Sequence, residues 1–398
     1  MAIPRRDPKQ SRDPKGAVHC SPGFVCRSLT VAALILPSAF AQQFTCKDGK
    51  CERVLNGVAP ATSRLRINAH GPVTLVGGVS QNLSFTVKVT VSARNEEEAR
   101  RLLLPYVVRV QSDGAWTVLS APGGAIMTDV TVRAPALEAA VVSTSDGAVQ
   151  AVGISGPLNV DTGAGAIAVD RIGGDCELIT GGGRIDAGQI GGSLKCSTGA
   201  GPIAVSTVRG SAILTTDGGD ILAHEAGAMV RAETRGGGVH IGTAGGPVTA
   251  VTGGGEIVVE KAGGVVTLRN MAGPVQVGSA AGVRCEASGA IRVAQIAGPM
   301  RVATSMGSIL ANLIGSHLAD SYLATGNGDI TVVIPSNVGV TIQAENGLAD
   351  TLKRITSDFA AVQPRRQGTR VVASGAINGG GPLLQISGSG GTIFIKRQ

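Results

Sequence analysis

Residues Ala166-Ile-Ala-Val-Asp-Arg-Ile-Gly-Gly-Asp-Cys-Glu-Leu-Ile-Thr-Gly-Gly-Gly183 are followed by Arg184-Ile-Asp-Ala-Gly-Gln-Ile-Gly-Gly-Ser-Leu-Lys-Cys-Ser-Thr-Gly-Ala-Gly201, the same layout 18 residues on. The beat extends both ways. Val149, Ile167, Ile185, Ile203, Ile221, Val239, Ile257 and Val275 are each 18 residues apart, and steps of 16, 18 and 21 then lead to Ile291, Ile309 and Ile330. A fixed period in this range marks a solenoid, in which each unit is one turn of a stack. Apolar residues favour positions two and four of each unit, then positions around eleven and thirteen, and glycine fills two turns. Period-two alternation broken by Gly turns predicts two short strands per coil, each with one face inward. Glycine at the corners is expected to supply positive φ. The long step predicts an outward loop between Ser308 and Gly328.

An isolated coil would not hold. About four inward aliphatics contribute roughly 1.5–3 kcal/mol each, while ordering the backbone costs roughly 1–2 kcal/mol per residue. Stacking supplies the missing ladder and closes the core from both sides. Eleven coils over residues 148–347 would make a rod roughly 50 Å long at the usual strand spacing.

The flanks read differently. Residues 42–59 read as an irregular leader, and residues 60–147 as an N-terminal β-rich cap with one helix. Asn95 with Glu98 forms a capping-box pattern, Glu96 and Glu97 suit the positive helix end, and Pro105 stops the helix. Residues 348–398 read as a closing segment, with Leu383 to Ile395 as one or two strands over the C-terminal end. The fold class is therefore all-β, a single-chain β-helix with an N-terminal cap.

The chain of 398 residues has 59 glycines, 2% aromatics and a formal charge of +7. Residues 1–41 carry +4 of that charge, leaving +3 for the remainder. Nucleic-acid binding thus has no electrostatic basis outside the N-terminal segment. That segment has Arg27 before an apolar run, Leu29 to Leu36, and Ala39-Phe40-Ala41 before Gln42. It predicts a secretory signal cleaved after residue 41, hence export to periplasm, outer surface or medium. The run is too short to span a bilayer, and no later stretch reads as a span. In an oxidising compartment Cys46 and Cys51 are expected to close a small disulfide loop. Cys176, Cys196 and Cys285 read as core fillers, with a Cys176–Cys196 bridge open only if neighbouring coils bring the pair close.

Three stretches carry a resemblance: Leu65-Arg-Ile-Asn-Ala-His-Gly-Pro-Val-Thr-Leu75 followed by the alternating strand and the Glu/Arg helix, Thr325-Gly-Asn-Gly-Asp-Ile-Thr-Val-Val-Ile-Pro335 leading to Ser357-Asp-Phe359, and Ile377-Asn-Gly-Gly-Gly-Pro-Leu383 with the closing Gly388-Ser-Gly-Gly-Thr-Ile-Phe-Ile-Lys396. With the repeats, residues 60–398 resemble a bacterial putative-adhesin domain family of β-helical fold and unknown function. The resemblance implies fold rather than chemistry, and the family brings no catalytic residues.

No chemistry-bearing constellation emerges from the residues. There is no phosphate-loop motif, no serine-nucleophile elbow, and no repeated Gly-Gly-x-Gly-x-Asp for calcium. Asp161, Asp170, Asp186, Asp217 and Asp220 are scattered through the unit, and His224 and His240 fall at different unit positions. Tyr106, Trp116 and Tyr322 are the candidate ring platforms for a sugar. The expectation is no catalytic residue, no cofactor and no metal, in an envelope protein that binds an unknown protein or glycan. A self-assembling scaffold like the bactofilins is the alternative, and a carbohydrate-active β-helix enzyme the lower one.

Overall fold

The computed structural model describes residues 44–47, 49–60, 62–314, 318–348 and 350–398. The predicted signal segment, with Cys20 and Cys26, lies outside the described residues. The fold is a β-solenoid of 18-residue coils. In the coil at Ile167, one strand runs Ile167–Ile172 and the second Cys176–Thr180. The first joins sheet A and the second sheet B. Pairing is parallel and in register: Ile167 faces Ile185 and Cys176 faces Leu194. Eleven consecutive sheet-A strands stack this way from Val149–Ile154 to Ile330–Ile334.

Six positions per coil point inward. In the coil at Ile185 they are Ile185, Ala187, Ile190, Leu194, Cys196 and Thr198, all buried. Four of these follow the sequence reading. The other two add to it. Between Val169 and Ile172 two outward residues intervene, so the sheet-A strand bends and turns Ile172 back to the core. Gly153 at φ 76 and Arg171 at φ 54 make this bend in neighbouring coils. The threonine position is inward too, and its hydroxyl is buried.

Those hydroxyls form a ladder. Thr180 Oγ1 donates to Gly165 O (2.8 Å) and accepts from Gly183 N (3.2 Å). Thr198, Thr216 and Thr234 repeat both bonds one coil further each time. Asn270 substitutes its amide at the same position, donating to Gly255 O (2.8 Å). Each bond satisfies turn groups that burial would otherwise orphan.

The glycine column beside this ladder corrects the expectation of positive φ. From Gly165 to Gly307 none of its members has a positive φ. A methyl group on Gly183, Gly201, Gly219 or Gly237 would lie 2.1–2.2 Å from the carbonyl oxygen of the glycine one coil back. Close coil-to-coil approach, not backbone conformation, excludes a side chain. The opposite corner is less strict: Arg209 occupies the position that Gly191 and Gly227 hold in adjoining coils.

The irregular steps are absorbed at corners. In the 16-residue step one residue is lost from each turn, so Val283 follows Ala280 by three residues and Ile291 follows Ala287 by four. In the 21-residue step Leu313 replaces the usual bend position, with a register shift, and the chain lengthens between Leu313 and Ser321.

Both ends depart from simple order. The strands Arg64–Ala69 and Val73–Val76 form a coil lying between that of Trp116–Ser120 and Met127–Arg133 and that of Ala139–Thr144 and Val149–Ile154. Likewise Leu383–Gly388 and Ile393–Arg397 lie between the coil of Ser321–Thr325 and Ile330–Ile334 and the coil begun by Val340–Asn346. The segment expected to close over the C-terminal end is thus an inserted, penultimate coil. The covering elements are the antiparallel strands Arg370–Ile377 and Gln363–Gln367. The polar devices follow space rather than sequence: Thr144 donates to Gly71 O, and Asn346 to Gly391 O, each 2.8 Å.

The N-terminal edge of sheet A is extended by antiparallel strands Leu83–Ser92, Lys50–Ala59 and Phe44–Lys47. The described residues of the stretch read as an irregular leader are therefore mostly β strand, Phe44–Lys47 and Lys50–Ala59. Two chain segments, about ten alternating residues each, are long enough to pair fully and bury one face, which the polar composition of residues 42–58 hid. The helix Glu96–Leu103 packs Ala99 and Leu103 inward, and Asn95 Oδ1 accepts from Glu98 N (2.8 Å). Glu98 reaches back to Arg94 N, one residue before the cap.

Candidate functional site

Of the carboxylates that a hydrolase reading would recruit, Asp161 stands exposed on its strand without a hydrogen-bond or ion-pair partner among the described residues, and the others are committed elsewhere. Asp175 Oδ1 accepts from Ser193 N (2.7 Å) and Asp220 Oδ1 from Gly238 N (2.7 Å), the next coil's turn amides. Asp320 and Asp329 do the same for Leu383 N and Thr392 N of the inserted coil, both 2.8 Å. Asp170 accepts from Gln189 N, Asp186 pairs with Arg184, and Asp217 with Arg235. His240 meets Glu260 at 3.1 Å, and His224 lies on the strand alongside at a different unit position. Among the described residues no three His, Cys, Asp or Glu side chains converge as a metal site.

Cys46 and Cys51 face each other across the first hairpin and are disulfide-bonded. Cys176, Cys196 and Cys285 are free and buried. Cys176 sits opposite Leu194, and Cys196 opposite Leu178, so the pair is offset along the strands. Burial pushes the Cys176 and Cys285 thiols up to about 12, and Cys196 well above its ordinary value. These are core side chains, not nucleophiles.

The three aromatic candidates separate by place. Tyr106 is buried, its hydroxyl without a partner, and burial pushes its pKa up to about 12. Trp116 is half-buried and covered by Arg66, 5.3 Å from the ring centroid. Tyr322 alone is open, 39% exposed on the outer face of sheet B. It stands in a groove of about 480 Å³ at the C-terminal end of that face, with Gln343, Gln385, Ser374, Ser387 and Arg365 along its walls. The inserted coil creates this wall: Gln385 pairs with Tyr322 on one side and with Gln343 on the other. Glu345, at the groove, is held by Arg370 at 3.2 Å.

Toward the middle of the rod the same outward column continues through Arg301, the lateral neighbour of Tyr322, and then Arg284, the lateral neighbour of Arg301. Three basic side chains nearer the middle of this face have carboxylates: Lys195 with Glu177 (2.8 Å), Arg231 with Glu233, Arg269 with Glu286 (3.3 Å). Arg284, Arg301 and Arg365 have no ion-pair partner among the described residues. Tyr322 was legible in the sequence as a candidate. The laterally adjacent Arg284 and Arg301 were not, because 17 residues separate them in a stretch where the period is broken.

No known sequence family matches the chain, and no curated protein does. It is similar in structure to several bacterial proteins. One is a putative adhesin of Bacteroides fragilis, 12% identical, covering 71% of this chain and 95% of that one with a TM-score of 0.26. Another is a putative cell adhesion protein of Clostridium sporogenes, at 10%, 87%, 100% and 0.19 respectively. A third is a putative lipid binding protein of Parabacteroides distasonis, at 12%, 87%, 97% and 0.21. Among the described residues no helix is long and apolar enough to cross a membrane.

Proposed function

We propose that the protein is an exported, non-enzymatic binding rod of the cell envelope, holding its ligand on the outer face of sheet B. The observation that carries the reading is the groove at Tyr322. It joins an open ring, side-chain amides and hydroxyls and the unpaired Arg365, with the unpaired Arg301 beside Tyr322 on the next strand, while Asp175, Asp220 and Glu286 are tied to backbone amides or a base. A repeat stack supplies such an extended surface, because each coil contacts its two neighbours in the same register. The end hairpins argue against a polymerising scaffold: each cap adds antiparallel strands where a second copy would have to continue the parallel ladder.

Cell fractionation tests the reading. The intact chain is expected outside the cytoplasm, with residues 1–41 removed, and a variant lacking those residues is expected to stay inside. Accumulation of the unaltered protein in the cytoplasm would overturn it. Protease treatment of intact cells, compared with osmotically opened cells, then separates surface display from the periplasm.

A further inference from the structure

We propose that the strip from Arg284 through Tyr322 to Arg365 binds a carboxylated polysaccharide, with Tyr322 stacked against a sugar ring and the arginines on its carboxylates. The inference deepens the binding-rod reading and rests on it.

Like charges directly opposed on neighbouring strands are destabilising. Arg284 and Arg301 are in direct lateral register with no carboxylate partner among the described residues, though Lys195, Arg231 and Arg269 on the same face each have one. The missing anion is supplied by the ligand. Arginine suits carboxylate recognition through its planar, bidentate fork.

The remaining groups specify a sugar polymer rather than another polyanion. Along the strip the side chains recur one strand apart, at about 4.8 Å, in the order Arg284, Arg301, Tyr322, Gln385, Gln343. A linear ligand lying along the rod axis meets them in turn. The groove walls offer amides and hydroxyls, each able to donate and accept, which matches a hydroxyl-rich chain. One open ring provides a platform for the apolar face of a pyranose. A nucleic acid would need a series of stacking rings, and this strip has one. An acidic peptide would leave the Gln343 and Gln385 amides without a matching set of hydroxyls.

The test is calorimetric titration of the purified protein with polygalacturonate, alginate and hyaluronate, beside fully methyl-esterified polygalacturonate and poly-glutamate. At least one uronate polymer is expected to bind, more weakly as salt rises. The neutral ester and poly-glutamate are expected to bind at least tenfold more weakly. Arg284→Gln with Arg301→Gln, and separately Tyr322→Ala, are each expected to lower affinity by roughly tenfold or more. Arg231→Gln, on the same face but off the strip, is expected to change nothing. All four side chains are exposed, so melting curves should match the parent and exclude misfolding as the cause. Binding of none of the three polymers overturns the proposal, as does equal binding of the ester or of poly-glutamate, or indifference to the strip variants. Failure here with protein still recovered outside the cytoplasm removes the glycan assignment alone. Cytoplasmic retention removes the binding-rod reading independently.

Discussion

At the scale of single residues, the buried threonine is the side chain that most constrains the coil. Thr198 is 4% exposed, and its hydroxyl both donates to Gly183 O and accepts from Gly201 N. Thr198→Val keeps the shape and removes both bonds. A buried polar group left unsatisfied costs about 1–3 kcal/mol, so denaturant unfolding should show a loss of that size. Thr198→Ser, which keeps the hydroxyl and loses one methyl, should lose about 1 kcal/mol or less. Equal losses for the two would mean that the ladder contributes only packing. The buried cysteines act in the opposite sense with pH. Their folded-state pKa values lie above the ordinary thiol value of 9.0, at about 12 for Cys176 and Cys285. The folded state therefore favours the neutral thiols, a contribution complete below pH 9 and lost as pH rises toward 12. Stability is expected to fall across that window, less steeply in Cys176→Ala with Cys285→Ala, and native alkylation at pH 8 should leave all three thiols unmodified. Rapid alkylation of the folded protein at pH 8 would contradict the burial.

Elements carry the division between what the sequence discloses and what it hides. The coil strands were legible because Ile167, Val169, Cys176 and Leu178 alternate with outward residues at period two, and the helix because Asn95 and the three glutamates announce its start. Ile172 was not, since the bend at Asp170 and Arg171 breaks the alternation before the strand ends. The Thr column was visible at its 18-residue spacing, yet a polar residue at a strand end reads as surface unless its partners are known. The same limit hid Arg53, a cation in the strand Lys50–Ala59 and only 7% exposed. Its Nη1 donates to Leu103 O (2.6 Å) and Leu104 O (2.9 Å), the carbonyl end of the helix, where positive charge is favoured. Burial lowers its pKa from the ordinary value without neutralising it. Arg53→Met keeps the apolar stem and loses both bonds. The expected cost is about 1–3 kcal/mol, confined to the cap, with faster amide exchange in Glu96–Leu103 and unchanged protection in the central coils. Uniform loss of protection along the rod would instead tie the cap to the whole stack.

At the scale of the molecule, the two inserted coils distinguish this chain from a plain repeat array. In an array, stability is close to a sum of unit terms and nearest-neighbour interfaces. Deleting Asp220 to Gly237 removes one unit and one interface, and leaves neighbours that match: Ile203 would meet Val239, and Ala212 would meet Val248, in the register each already uses. That variant is expected to unfold in one transition, at a modestly lower temperature. Truncation before Gly381 removes a coil that holds two interfaces at once, and it frees the Asp320 and Asp329 carboxylates from Leu383 N and Thr392 N. The stretch from Pro335 to Gly339 connects across the gap that this coil fills, so the neighbours left behind are not built to meet. The truncated protein is expected to melt earlier and over a broader range than the internal deletion, despite losing a similar length of chain. Calorimetric melts of the two variants decide it. If the outer coil slips inward and restores a sharp transition, the inserted coil is one unit like any other, and the ends of the rod are set by the hairpins alone. If the transition broadens, the chain's own C-terminus locks the stack, and the Tyr322 groove, whose wall is that coil, depends on the lock for its shape.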